Sequence, residues 1–320
     1  MSRPVRLVPG DVFARFASPT CRGSLSRDGN RFVVGDDSGQ LTTWERGANG
    51  RFALRARIVV PPAGAHSRPA VRNTACAPAG DVIASEEYVW VRLRRFDDLS
   101  VLSERLCGGA QRVLDLGAPG FLVAGNWMLK TPDLKEGALH SGEVCGAAVL
   151  PWSNQVVTTV ERPSEETAMA MRTWQGTAPV QLVDLATGRP VRTLLDDTVL
   201  AALAVDEARR RVLFATYGDA PIAVYDESGA QLPSLGQRSG RTELLLVRDD
   251  WILSVPNAVG REVSVDCWDA ASLEPLGKAS LQRQFSPPWI AASARTLVIP
   301  DLPAGEPGAR FAVREWSIDR

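Results

Sequence analysis

A bulky or apolar residue followed by an acid or a small polar residue recurs along the whole chain. The pairs are Trp44-Glu45, Phe96-Asp97, Pro132-Asp133, Val183-Asp184, Tyr225-Asp226, Trp268-Asp269 and Trp316-Ser317, separated by 52, 36, 51, 42, 43 and 48 residues. Before each pair comes a short apolar run, such as RFVVG (31–35), DVIAS (81–85), FLVAG (121–125), QVVTTV (155–160), RVLFAT (211–216), WILSV (251–255) and TLVIP (296–300), bounded by Gly, Pro, Asp or Asn. Runs this short and this continuous read as strands buried on both faces. A unit of about 45 residues cannot bury both faces of its own small sheet, so neighbouring units must do it for one another.

That period, with four short strands per unit, predicts an all-β fold: a seven-bladed β-propeller of four-stranded antiparallel blades. The chain reads as one domain, 1–320, with blades near 18–60, 70–107, 110–143, 144–196, 198–237, 241–282 and 286–320. The last blade holds sequence for three strands only, near 288–293, 296–300 and 310–317. Spare strand-like sequence stands before the first blade, in PVRLVP (4–9) and DVFARFA (11–17). The expectation is that a strand from residues 1–17 completes the last blade, closes the ring and removes an exposed edge. In each blade the bulky residue should fill the gap to the next blade and the acid should order the turn after it.

The stretch SRDGNRFVVGDDSGQLTTWE (26–45) resembles the core repeat of the WD40 family, and the units at 178–195 and 199–236 look like YVTN and quinoprotein-like propellers. The resemblance is one of repeat pattern and extends over nearly the whole chain. It implies a rigid scaffold for protein–protein contact. The Gly-His dipeptide of WD40 repeats is absent, so that family's Asp-His-Ser/Thr-Trp network is not carried over. The ATG of DLATGRPV is similar to a quinoprotein docking motif but lacks its closing tryptophan, and no cofactor is expected.

Composition narrows the function. Net charge is −1, which provides no global field to attract nucleic acid or an anionic membrane. Of 36 basic residues only positions 130, 135 and 278 are lysine. That bias reads as a GC-rich bacterial genome or as an arginine-rich recognition surface. Five scattered cysteines without a C-x-x-C argue for a reducing compartment, and the N-terminal stretch has no unbroken apolar run of the signal-peptide kind. The expected location is cytoplasmic, without membrane attachment.

Catalytic signatures are missing from the sequence. The only histidines are His66 and His140, both in Gly-, Pro- or Ser-containing connections. The acidic doublets Asp36-Asp37, Glu86-Glu87, Asp97-Asp98, Glu165-Glu166, Asp196-Asp197 and Asp249-Asp250 lie outside any alternating calcium loop and read as solvated turn residues. Innermost strands such as GAAVLP (146–151), LAALAV (200–205) and LLLV (244–247) aim few acids inward. The reading is therefore a non-catalytic scaffold with no metal site, a single propeller copy working within a bacterial multi-protein complex. The alternative is a hydrolase- or lactonase-like enzyme, or a small-ligand sensor, using the central channel.

Long loops should carry the contacts. They fall on the face shared by the strand 2–3 hairpins and the connections between blades. The candidate partner-binding residues are Met169, Met171, Arg172 and Trp174 in ERPSEETAMAMRTWQGTAP (161–179), with Arg68 and Arg72 in PPAGAHSRPAVR (61–72). The latter two belong to a stretch, 46–80, with six arginines and no acid.

Overall fold

In a computed structural model of the chain, the residues described are 5–21, 23–62, 69–107, 114–116, 120–124, 127–135, 143–161, 178–198, 200–216, 220–236, 242–248, 250–256, 262–282, 291–292, 296–301 and 311–319. They contain strands and turns and no helix. The first strand, β1 (Arg6–Phe16), stands apart from the sheets that follow it directly in the chain. The first sheet is β2–β5 (Ser24–Leu25, Arg31–Gly35, Gln40–Arg46, Phe52–Val59) and the second β6–β9 (Asn73–Cys76, Val82–Glu87, Trp90–Arg95, Val101–Leu106). The third is β10–β12 (Leu114–Asp115, Phe121–Ala124, Trp127–Lys130). The fourth is β13–β16 (Glu143–Leu150, Gln155–Glu161, Ala178–Asp184, Pro190–Thr198) and the fifth β17–β20 (Leu200–Asp206, Arg211–Thr216, Ile222–Tyr225, Gln231–Leu235). The sixth is β21–β24 (Thr242–Arg248, Trp251–Pro256, Glu262–Asp269, Pro275–Gln282). The last joins β25–β27 (Ala291–Ala292, Thr296–Asp301, Phe311–Asp319) to β1.

The sheets are antiparallel and arranged as the blades of a propeller, all but the last being meanders of consecutive strands. The innermost strands β2, β6, β10, β13, β17 and β21 each touch the next, β25 touches β2, and β24 touches β1. The expectation of seven four-stranded blades is corrected to six complete blades. Six sheets have four strands, whereas the third has three among the described residues. Its third strand ends in a turn at 131–134, and residues 136–142, where a fourth strand was expected, lie outside the described set.

The outer strand of the last sheet comes from the start of the chain. Strand β1 pairs with β27 from Arg6↔Asp319 to Phe16↔Phe311, slipping register between Pro9 and Val12 and again between Val12 and Ala14. Residues 6–9 and 11–16 of the two candidate segments therefore belong to one bulged strand. Its inner end packs Ala14 and Phe16 with Phe32, Trp44, Val298 and Val313. Phe13 meets Phe32, Trp44 and Phe52 at ring separations of 5.6, 5.4 and 4.7 Å.

The core lies between sheets. All six residues of β22 are buried, which explains its unbroken apolar run. Val33, Leu41, Ile83 and Phe96 fill the gap between the first and second sheets. Leu213, Val224, Leu245 and Trp268 do so between the fifth and sixth. Each such side chain contributes about 1.5–3 kcal/mol on burial. Trp44, Tyr225, Trp268 and Trp316 are all buried between sheets, as the repeat implied.

The turns after the third strands of the second, third, fourth and sixth sheets share one geometry. Arg95, Lys130, Asp184 and Asp269 each donate their N–H to the carbonyl five residues on. The residue four positions on sits in the left-handed region: Leu99, Leu134, Gly188 and Leu273, with φ of 59, 50, 66 and 62°. The Asp184, Asp226 and Asp269 carboxylates order their turns as expected, each accepting a serine or threonine hydroxyl and backbone N–H groups. The hydroxyl first, then backbone N–H groups, hold the Asp184 and Asp226 carboxyls below their usual range. In the second sheet the role falls to Asp98, which binds the Ser100 N–H and hydroxyl, while Asp97 instead pairs with Arg55.

Arginines tie neighbouring sheets together. Arg105 donates to the Leu134 carbonyl (3.2 Å), Arg192 to that of Ser228, Arg211 to that of Ala270 and Arg248 to that of Ala292. Each acceptor belongs to the following sheet, and the first three lie in its third-strand turn. Arg31 reaches the same place in the second sheet, with its guanidinium over the Phe96 ring at 5.1 Å. Arg46 crosses the other way, to Glu315 at 2.7 Å. A planar, always-charged donor suits a carbonyl at a half-buried seam better than an ammonium does.

Candidate functional site

On the face formed by the strand 2–3 hairpins and the inter-sheet connections, the described residues are concentrated in the first two sheets. There the hairpin at 36–39 is built around Asp36. Its buried carboxylate accepts the Ser38 N–H (2.9 Å), the Ser38 hydroxyl (2.6 Å) and the Gln40 N–H (2.9 Å). Gly39 adopts φ +83°, and a Cβ on it would stand 2.5 Å from the Pro69 Cβ. Only glycine permits both the backbone angle and that approach.

The connection to the second sheet is pinned to this hairpin at both described ends. Val60 donates to the Gly39 carbonyl (2.9 Å) and Val71 to that of Asp36 (3.0 Å). Arg72 then donates its N–H to the Glu86 carbonyl at 2.9 Å. Its exposed guanidinium lies over the Tyr88 ring, 5.1 Å from the centroid. Tyr88 occupies the tip of the next hairpin with φ +62° and is 37% exposed. A bulky residue is rare in that conformation, which marks a ring held outward by its surroundings.

Those surroundings are a buried ionic network within the second sheet. Glu87 Oε1 accepts the Ser85 hydroxyl (2.7 Å) and Arg94 Nε (2.8 Å). Its Oε2 accepts Arg94 Nη2 (3.0 Å) and Arg92 Nη1. Arg94 also holds the Leu99 carbonyl at 2.7 Å, and Arg92 holds Glu104 at 2.8 Å. Burial acts to raise the Glu87 pKa, but the Arg94 bonds and charge outweigh it and keep the carboxyl below its usual range. For Asp37, burial and then the neighbouring Asp36 push the carboxyl up, and the Arg72 charge only partly opposes them.

The acidic doublets depart from expectation here. Asp36, Glu86 and Glu87 are buried rather than solvated. Asp36 carries a turn and Glu87 a salt-bridge network, and burial strengthens the bonds each makes. Asp97 and Asp98 are exposed, as expected.

Of the candidate contact residues, the structure places Arg72. Arg68, Met169, Met171, Arg172 and Trp174 lie outside the described residues, as do His66 and His140. Tyr88 was missed in the sequence, where a tyrosine between a Glu-Glu doublet and a β-branched residue carries no turn signal.

Elsewhere the chemistry is subdued. Burial pushes the Cys21, Cys76 and Cys267 thiols up to about 12 and Cys107 to about 11, which keeps them protonated and poorly nucleophilic near neutrality. Among the described residues no group of three or more His, Cys, Asp or Glu is placed to hold a metal ion, and no helix is long and apolar enough to cross a membrane. On the opposite face an open cleft is lined by Asp28, Asn30, Arg31, Glu45 and Arg46. Its charges already pair, Arg31 with Glu45 at 3.2 Å and Arg46 with Glu315. No protein family model matches the chain, and no curated protein matches it either.

Proposed function

We propose that the protein is a non-catalytic scaffold, a WD40-like propeller in one domain, acting in the bacterial cytoplasm. It binds another protein on the face of the strand 2–3 hairpins. The observation that carries this reading is the Arg72–Tyr88 stack. It puts a cation and an aromatic ring, two of the side chains richest in binding energy at interfaces, on a base pinned by backbone bonds and a buried salt-bridge network. A rigid anchor loses little entropy when it is covered. In this reading the loop residues Met169, Met171, Arg172 and Trp174, with Arg68, are counted among the contacts on the grounds of their sequence alone.

Quantitative pull-down from the native cell tests this, comparing the intact protein with Arg72→Ala/Tyr88→Ala and with Arg172→Ala/Trp174→Ala. The expected result is loss of one identified partner in both variants at unchanged melting midpoint. Equal recovery of every co-purifying protein would reject the face.

A further inference from the structure

The outer strand of each propeller blade has one edge without a strand beside it, with N–H and C=O groups turned to solvent. Proteins usually blunt such edges with proline, glycine kinks or bulges. Most of the described outer strands follow this rule. Strand β1 carries Pro9, Gly10 and two register breaks. Strand β16 begins at Pro190 and breaks register three times against β15. Strand β20 contains Pro233, and β24 contains Pro275 and Gly277.

Strand β5 is different. Its eight residues, FALRARIV, contain neither proline nor glycine, and five of them are exposed. After a single bulge opposite Thr43 and Trp44, it runs in regular register from Ala56 to Val59, and the Val60 N–H bond to Gly39 extends it. Ala56 and Ile58 turn inward against the core between the first two sheets. Leu54 and Val59 are 43% and 68% exposed. Strand β9 also lacks proline and glycine, but it is shorter and alternates Glu104 with Arg105.

Charge selects what can pair here. From residue 46 to 62 the chain has four arginines and no acid. Arg55 is bound to Asp97 at 3.0 Å, whereas Arg57 is exposed and has no ionic partner among the described residues. A second copy adding antiparallel through β5 and centred on Ala56 would set Arg55 against Arg57, a like-charge pair that disfavours the contact. An acidic strand would gain a cross-strand ion pair at the same position.

We propose that the edge of β5 accepts an extended acidic segment of a partner protein, which adds as a fifth strand with a carboxylate opposite Arg57 and apolar residues over Leu54 and Val59. Main-chain bonds supply the affinity and the alternating side chains the selectivity. This surface is separate from the hairpin face proposed above.

The test uses a labelled octapeptide of alternating valine and glutamate against one of alternating valine and lysine, with the full-length protein. Binding is followed by fluorescence polarisation, and the site by amide hydrogen exchange. The glutamate peptide should bind, protect amides within 53–59 and weaken about tenfold in Arg57→Glu, whose melting midpoint stays unchanged because Arg57 is exposed. Tyr88→Ala should bind the peptide as the intact protein does, which separates this result from any failure of the hairpin face. The proposal is overturned if the glutamate peptide does not bind, if both peptides bind equally, if protection appears elsewhere, or if the protein dimerises through β5 instead.

Discussion

Glu87 offers the most direct test of how the second sheet is held together. Its side chain is 1% exposed, and that of Arg94 is 6% exposed. Glu87→Gln keeps the shape and one acceptor oxygen but removes the charge that neutralises Arg94 and Arg92. Removing one member of a buried pair costs about 3–5 kcal/mol, because the other charge stays buried without compensation. An unfolding entropy of about 2.1 cal/mol/K per residue gives, for a chain of this length, roughly 0.7 kcal/mol per degree. Differential scanning calorimetry at pH 7 should therefore show a midpoint about 4–7 °C lower. The pH dependence has a defined sign. The folded-state pKa of Glu87 lies below its unperturbed 4.5. Its stabilisation is therefore complete above that value and is lost as pH falls through the folded pKa. The gap between wild type and variant should close on acidification. A deficit below about 1 kcal/mol, the scale of an exposed ion pair, would refute the reasoning. So would a gap that stays constant from pH 7 to pH 3.

Deleting residues 1–17 strips β27 of its neighbour and removes Phe13, Ala14 and Phe16 from their cluster. Phe16→Ala alone should cost about 3–5 kcal/mol in denaturant unfolding, the deletion more, and an unchanged melting curve for the deletion would reject closure by β1. With thiols raised to about 12, Cys21 and Cys76 should react with a thiol reagent at pH 8 more than about a hundredfold slower in the folded protein than after unfolding. Peptide mapping would expose the error if either labels quickly.

The strand cores were legible because burial on both faces leaves continuous apolar runs, and β18 and β22 fall where RVLFAT and WILSV stand. The origin of the last outer strand was legible too, by counting strands. The turn acids were read correctly at Asp184, Asp226 and Asp269, whereas Glu45 lies within β4 and pairs with Arg31. In the second sheet the bulky residue, Phe96, is instead the first residue of the turn, its N–H bound to the Asp81 carbonyl. Either arrangement fills the same gap, so residue type alone could not separate them. The arginine bias was read as a surface or genomic trait, but Arg105, Arg192, Arg211 and Arg248 hold carbonyls of the following sheet. Nothing local in the sequence points across a seam to a carbonyl some 29 to 59 residues away.

The pairing of Arg6 with Asp319 also has a consequence for how the molecule is made. During synthesis the strand that emerges early must wait for its pairing partner until nearly three hundred further residues have left the ribosome. Joining segments so distant carries a high loop-closure cost and a slow search. The final seam is thus a late kinetic event.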